Sequence, residues 1–225
     1  VVFNEMKGAM SSPSDQLYHQ LAHHLFPKTT YHYNSGGDPK DIPDLTYQEL
    51  VDFYKSHYHP SNAIFMTFGN QSAYELQEQF ETLALSKFEK GQTIHSIHEQ
   101  RLAAPIAVTE TYAVDAEDLK DKTYHILSWL LPESSDTKLR LGLRLAEGIL
   151  LEDSASPLRH YLETCGYAQS TGPIMGLDDS NFEMTFYCGI QGSNAEHAET
   201  FKNGVMGILE DVASKPVDPA MIDAI

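Results

Sequence analysis

The first ten residues, VVFNEMKGAM, hold a single acid, Glu5, among the apolar residues Val2, Phe3, Met6 and Met10 at spacings that suit one helical face. A carboxylate can ligate a metal or take up a proton, but a lone glutamate on a helix is nearly always a surface residue. Histidine is the next chemistry-bearing type, with eleven in the chain. His19 and His23 stand four apart, which puts two imidazoles on one helical face as zinc sites require, with His24 beside them. No acid lies near them at a familiar ligand spacing, and the three flank Leu17, Leu21 and Leu25, so a metal-binding cluster competes with solvated or packed histidines. His57 and His59 bracket Tyr58 at a helix end, where an imidazole can serve the last carbonyls; this reads as structural.

Nucleophile motifs are absent: there is no GxSxG, and neither cysteine, Cys165 or Cys188, stands beside a histidine in a recognisable pattern. The two cysteines form no CxxC pair and read as core thiols. No Walker loop or GxGxxG supports nucleotide binding. The formal charge of −17 repels phosphate backbones and excludes nucleic acid as an expected partner. It suits attraction of basic peptides, and more readily plain solubility. No apolar run approaches the ~18 residues of a membrane span.

These groups must be positioned by elements that the pattern announces. A helix is expected from Ser14 as N-cap, through Leu17, Leu21 and Leu25, to Pro27. The segment NSGGDPKDIPD must be a loop of defined shape. Thr46 with Glu49 is a capping box opening a helix whose buried stripe is Leu50, Phe53, Tyr54, His57 and Tyr58. AIFMTF, before Gly69, reads as a fully buried strand, and Ser72 with Glu75 caps a helix carrying Leu76, Phe80 and Leu83. Residues 86–105 are polar and without period, which places a domain boundary there, between a unit at 1–85 and another at 106–225.

In the second unit, strands are expected at Ile106–Val114 and Thr123–Leu131 and helices at Asp136–Leu151 and Ser156–Cys165, the latter closed by Gly166. Two further strands follow, the second alternating through Phe182, Met184, Phe186, Cys188 and Ile190. A capping box of Ser193 and Glu196 then starts a helix through Phe201, Val205, Ile208 and Val212, and Asp218–Pro219 starts another. This order suits an α+β fold, a layered and mostly antiparallel sheet backed by helices. Both ends fall inside helical patterns, so the chain reads as an internal piece of a longer polypeptide.

The strings VVFNEMKG, SGGDPKDIPDLTYQEL and YHPSNAIFMTFGN, in this order, resemble the pitrilysin/insulinase superfamily of zinc peptidases, nearest to its presequence proteases. The second unit resembles it in element order and in SPLRHYLETCGY. The resemblance implies a clamshell of related domains that encloses unfolded peptides and hydrolyses them with Zn²⁺, in a bacterial cell or the mitochondrial matrix. Zinc there is held by two histidines of an inverted HxxEH motif, whose glutamate is the general base, and by a glutamate on a later helix. The glutamate of FNEMKG matches that third ligand and gives Glu5 the role. HxxEH occurs nowhere in the 225 residues, so the resemblance leaves no catalytic residue within the chain.

The resemblance thus makes the chain an expected portion of a zinc endopeptidase, inactive alone, whose partners are unfolded peptides and the remaining domains of the same polypeptide. Residues 1–85 would end the zinc-site domain and 106–225 form most of a second, metal-free one. Two rivals stand beside it: a non-catalytic binding or scaffold relative of the same fold, and a metal binder using His19, His23 and His24.

Overall fold

A computed structural model of the chain describes residues 1–115 and 117–217, with Pro219 and Ile222. The chain forms two compact units, each built from two segments: residues 1–6 with 36–97, and residues 7–35 with 98–225. No helix among the described residues is long and apolar enough to cross a membrane.

The larger unit is organised by β4 (Glu183–Ser193), an eleven-residue strand rich in β-favouring residues. Strand β1 (Thr123–Glu133) pairs antiparallel along one edge, while β2 (Ser170–Thr171) and β3 (Gly176–Asp178) pair antiparallel along the other. The β1–β4 register slips between Leu130 and Glu133. Pro132 lies in that gap and has no N–H to give the ladder, which accounts for the irregularity.

Both faces of β4 are covered. Cys188 and Ile190 pack with Leu151 of α5 (Thr137–Leu151), Leu158 and Leu162 of α6 (Pro157–Thr164), and Phe201 and Val205 of α7 (Ala198–Ser214). On the opposite face Tyr187 packs with Leu25 and Phe26 at the end of α2 (Pro13–Leu25). Side chains so buried contribute about 1.5–3 kcal/mol each relative to exposure. Such coverage explains why Thr185 and Tyr187 are buried along with the apolar alternation of Met184, Cys188 and Ile190. At Gly189 an added Cβ would stand 2.1 Å from Ile126 Cδ1 and 2.7 Å from the His125 carbonyl, so only glycine lets β1 lie this close. Gly166, at φ +80°, follows α6 as the expected stop. β3 is tied to α5 by Arg144, which donates to Asp179 (2.5 and 3.3 Å) and to Glu147 (3.0 Å). The hydrogen bonds from Arg144 hold the Asp179 carboxyl below its ordinary range.

The smaller unit contains α3 (Tyr47–His57) and α4 (Ala73–Leu83), and α1 (Val2–Ala9) begins within it. Thr46 and Glu49 form the expected capping box, and the Ser72 side chain accepts the Glu75 N–H at 3.4 Å. None of the three helices has a buried residue.

Several expectations are corrected. AIFMTF is not a buried strand: Ile64, Met66 and Phe68 are each at least 90% exposed, and residues 64–68 make no backbone hydrogen bond among the described residues. A strand exists only through its neighbours, and none of the described segments supplies one here. The α3 stripe is likewise exposed; Phe53 stacks on His57 (3.8 Å between centroids) and Tyr54 on Tyr58 (5.0 Å), so the aromatics pair along their own helix. Ile106–Val114 forms no ladder either. The cap of α2 is Ser12, with Pro13 at the first helical position, and not Ser14. Ser193 caps nothing: its hydroxyl donates to the Tyr167 carbonyl at 2.7 Å, Glu196 lies in a 3-10 turn, and α7 begins at Ala198. The helix expected from Asp218 lies largely outside the described residues.

Candidate metal-ligand site

Glu5 sits in the first turn of α1, and its side chain is exposed. What fixes α1 beside it is the next residue. Met6 lies over Gly36 so closely that a Cβ there would come within 2.2 Å of its Sδ. Gly36 belongs to the glycine- and proline-rich loop, whose shape is as defined as its composition demands. Gly37 adopts φ +89°, the Asp38 carboxylate accepts the Lys40 N–H at 2.8 Å, and Asp41 and Ile42 donate to the Asp38 carbonyl at 3.0 Å. A small residue under Met6 and a turn that holds itself thus seat the helix that carries Glu5.

The described residues contain no group of three or more His, Cys, Asp or Glu side chains placed to hold a metal ion. One exposed carboxylate cannot bind Zn²⁺ by itself, so these residues do not make a zinc site unaided.

The histidines His19, His23 and His24 each turn to a different partner. His19 Nε2 lies 3.1 Å from Asn34 Nδ2, His24 Nε2 lies 3.0 Å from Glu110 Oε1, and the His23 ring packs on His32 at 3.9 Å between centroids. Desolvation, then the neighbouring His32 and His24, lower the basicity of His23 against the pull of Glu110. The structure does not converge these imidazoles on one point.

His57 Nδ1 lies 3.1 Å from the Phe53 carbonyl, the contact expected at a helix end, whereas His59 Nδ1 accepts the Ser61 N–H at 3.2 Å and so caps the following 3-10 turn (Pro60–Asn62) instead of serving the last carbonyls. Cys188 is buried in β4 and burial pushes its thiol up to about 12; Cys165 is half-buried against the same core, and both are free.

Sequence reasoning missed a buried pair of carboxylates in the larger unit. Glu99 is 8% exposed and Glu183 6%. Glu99 Oε2 accepts the N–H groups of Lys28 and Thr29, both at 2.9 Å, and Oε1 accepts that of Gln100 at 2.8 Å. Glu183 Oε1 accepts the Glu99 N–H at 2.8 Å, and His98 Nδ1 lies 3.3 Å from Glu133 and 3.8 Å from Glu183. Burial alone would raise the Glu99 carboxyl; the backbone donors outweigh it and hold the group below the ordinary glutamate value. No pattern in the polar stretch around Glu99 signals this, because apart from the adjacent Gln100 its partners, Lys28 and Thr29 beyond α2 and Glu183 of β4, are distant in sequence.

The sequence model of the peptidase M16 inactive domain matches residues 44–225. Protein HypA of Clostridium perfringens is 32% identical over the whole chain, which covers 23% of that protein. The mitochondrial presequence protease of Xenopus laevis is 32% identical and presequence protease 1 of Arabidopsis thaliana 33%; each matches the whole chain, which covers 22% and 21% of their lengths. The chain therefore spans under a quarter of these relatives. Among solved structures, a peptidase M16 inactive domain from Pseudomonas fluorescens superposes with a TM-score of 0.69 at 16% identity over 99% of this chain and 52% of its own. A protease from Helicobacter pylori gives 0.65 at 18% identity over 99% of this chain and 53% of its own.

Proposed function

Because the chain belongs to the peptidase M16 inactive-domain family, we propose that it is a portion of a longer zinc-dependent endopeptidase that degrades unfolded peptides in a closed chamber. It contributes one zinc ligand, Glu5, and a stretch of chamber wall. The carrying observation is that the whole chain aligns with presequence proteases at about a third identity while spanning under a quarter of them. Residues 1–85 are then the end of the zinc-site domain and 106–225 most of its metal-free companion, with 86–105 between.

Glu5 on an exposed helix face, seated by Met6 over Gly36, suits a ligand that meets partners from another segment. The test is zinc content. The 225-residue chain should hold essentially none and cleave no peptide. In the polypeptide extended upstream through HxxEH, Glu5→Gln should lower zinc affinity and peptide cleavage at least tenfold while thermal unfolding of the sheet unit stays put. Stoichiometric zinc in the short chain, or undiminished zinc in the extended E5Q protein, overturns the assignment.

A scaffold role is the second reading, favoured by the match of residues 44–225 to a domain described as inactive. An upstream segment without an intact HxxEH would decide for it.

A further inference from the structure

The smaller unit holds a cavity of about 620 Å³, lined by Lys55 and Ser56 near the end of α3, by His59, and by residues 91–95. All of these lie within residues 36–97 of that unit. The volume falls in the range of roughly 300–1,000 Å³ usual for small-molecule sites. In a chain with 32 Asp and Glu against 15 Lys and Arg, none of the lining residues is an acid.

The walls are held so as to present donors. Asn62 ties two of them together: its Oδ1 accepts the Ile94 N–H at 2.8 Å, and its Nδ2 donates to the carbonyls of Ser56 and His57 at 3.3 and 3.4 Å. That second pair of contacts offsets part of the negative end of α3 beside Lys55. Ser61 Oγ accepts the Gly91 N–H at 3.0 Å, and glycine is needed for this approach, because a Cβ would stand 2.8 Å from His59 Cε1. The segment is thus pinned at 91 and 94, while the N–H groups of Gln92, Thr93 and His95 make no hydrogen bond among the described residues. The Lys55 ammonium likewise has no ion pair among them. His59 Nδ1 accepts the Ser61 N–H, which puts the proton of the neutral ring on Nε2 and makes that end a donor.

We infer that this cavity binds a small organic oxyanion, a carboxylate or a phosphate ester, through the Lys55 ammonium and the N–H groups of Gln92, Thr93 and His95. Ammonium and backbone N–H groups only donate, so they give charge-assisted hydrogen bonds to such a head group and repel a cation. The inference is independent of the zinc assignment at Glu5.

The test titrates the ¹⁵N-labelled 225-residue chain with sodium phosphate and, separately, with sodium citrate at constant ionic strength, followed by amide chemical shifts. The signals of Gln92, Thr93 and His95 should move along saturable curves with Kd below about 1 mM for at least one of the two anions, while the β4 amides stay in place. Tighter phosphate binding assigns the phosphate ester, tighter citrate binding the carboxylate. Lys55→Met or His95→Ala, both at exposed side chains, should weaken binding at least about tenfold, whereas Lys202→Met in the larger unit should leave it unchanged. Shifts that never saturate with either anion overturn the inference. So does binding undiminished in both K55M and H95A, or binding weakened as much by K202M, which marks a diffuse response to charge.

Discussion

Glu99→Gln changes one atom in the larger unit and should cost it measurable stability. The two carboxylate oxygens of Glu99 accept three backbone N–H groups, two at one oxygen and one at the other. A glutamine keeps one acceptor and puts an NH₂ where the other stood, so either Gln100 or the Lys28–Thr29 pair loses its acceptor and meets a donor. Hydrogen bonds to charged groups contribute about 1.5–3 kcal/mol each, and the lost one sets a cost of about 2 kcal/mol. For a domain of this size that is a Tm lower by about 4–8 °C, followed by circular dichroism.

The pH dependence adds a second readout. The folded carboxyl is held below its ordinary value, so its stabilisation is full above the unfolded pKa of about 4.3 and is lost as pH falls through the folded value. The gap between wild type and E99Q should be constant from about pH 7 to about pH 5 and shrink below about pH 4. Equal Tm values at neutral pH, or a gap that widens in acid, would refute the reasoning.

Cys188 should resist iodoacetamide in the native protein at about pH 8 and react only in denaturant, because burial raises its thiol to about 12, while half-buried Cys165 is modified first; peptide mapping distinguishes them. Leu162→Ala, at a side chain 1% exposed, should cost about 2–5 kcal/mol in denaturant unfolding, whereas Leu50→Ala on exposed α3 should shift the short chain by no more than about 0.5 kcal/mol.

The residues legible in advance are those whose partners are close in sequence or whose periodicity is long. The Thr46–Glu49 box closes within one turn, and the apolar alternation of Met184, Phe186, Cys188 and Ile190 marks β4 as a strand even though both its faces are covered. Ser193 shows how such a signal fails: the residue spacing of a capping box is there, but the Tyr167 carbonyl takes the hydroxyl. The pattern of AIFMTF and of the α3 stripe reads as burial, and burial needs a second surface that these residues do not contain. Glu99 was invisible because its environment is assembled from Lys28, Thr29 and Glu183, far away along the chain. At Glu5, spacing indicates only a surface residue; the ligand role comes through resemblance alone.

The seating of α2 against Tyr187 has a consequence in time. The helix is made before its partner, for the strand that covers Leu25 and Phe26 emerges only on the order of 160 residues later. At ribosomal rates of about 5–20 residues per second, its apolar face waits roughly ten to thirty seconds for its partner. Through that interval the nascent chain carries an uncovered amphipathic helix, so its yield in the cell should depend on chaperones that shield α2 more than on the stability of the finished sheet.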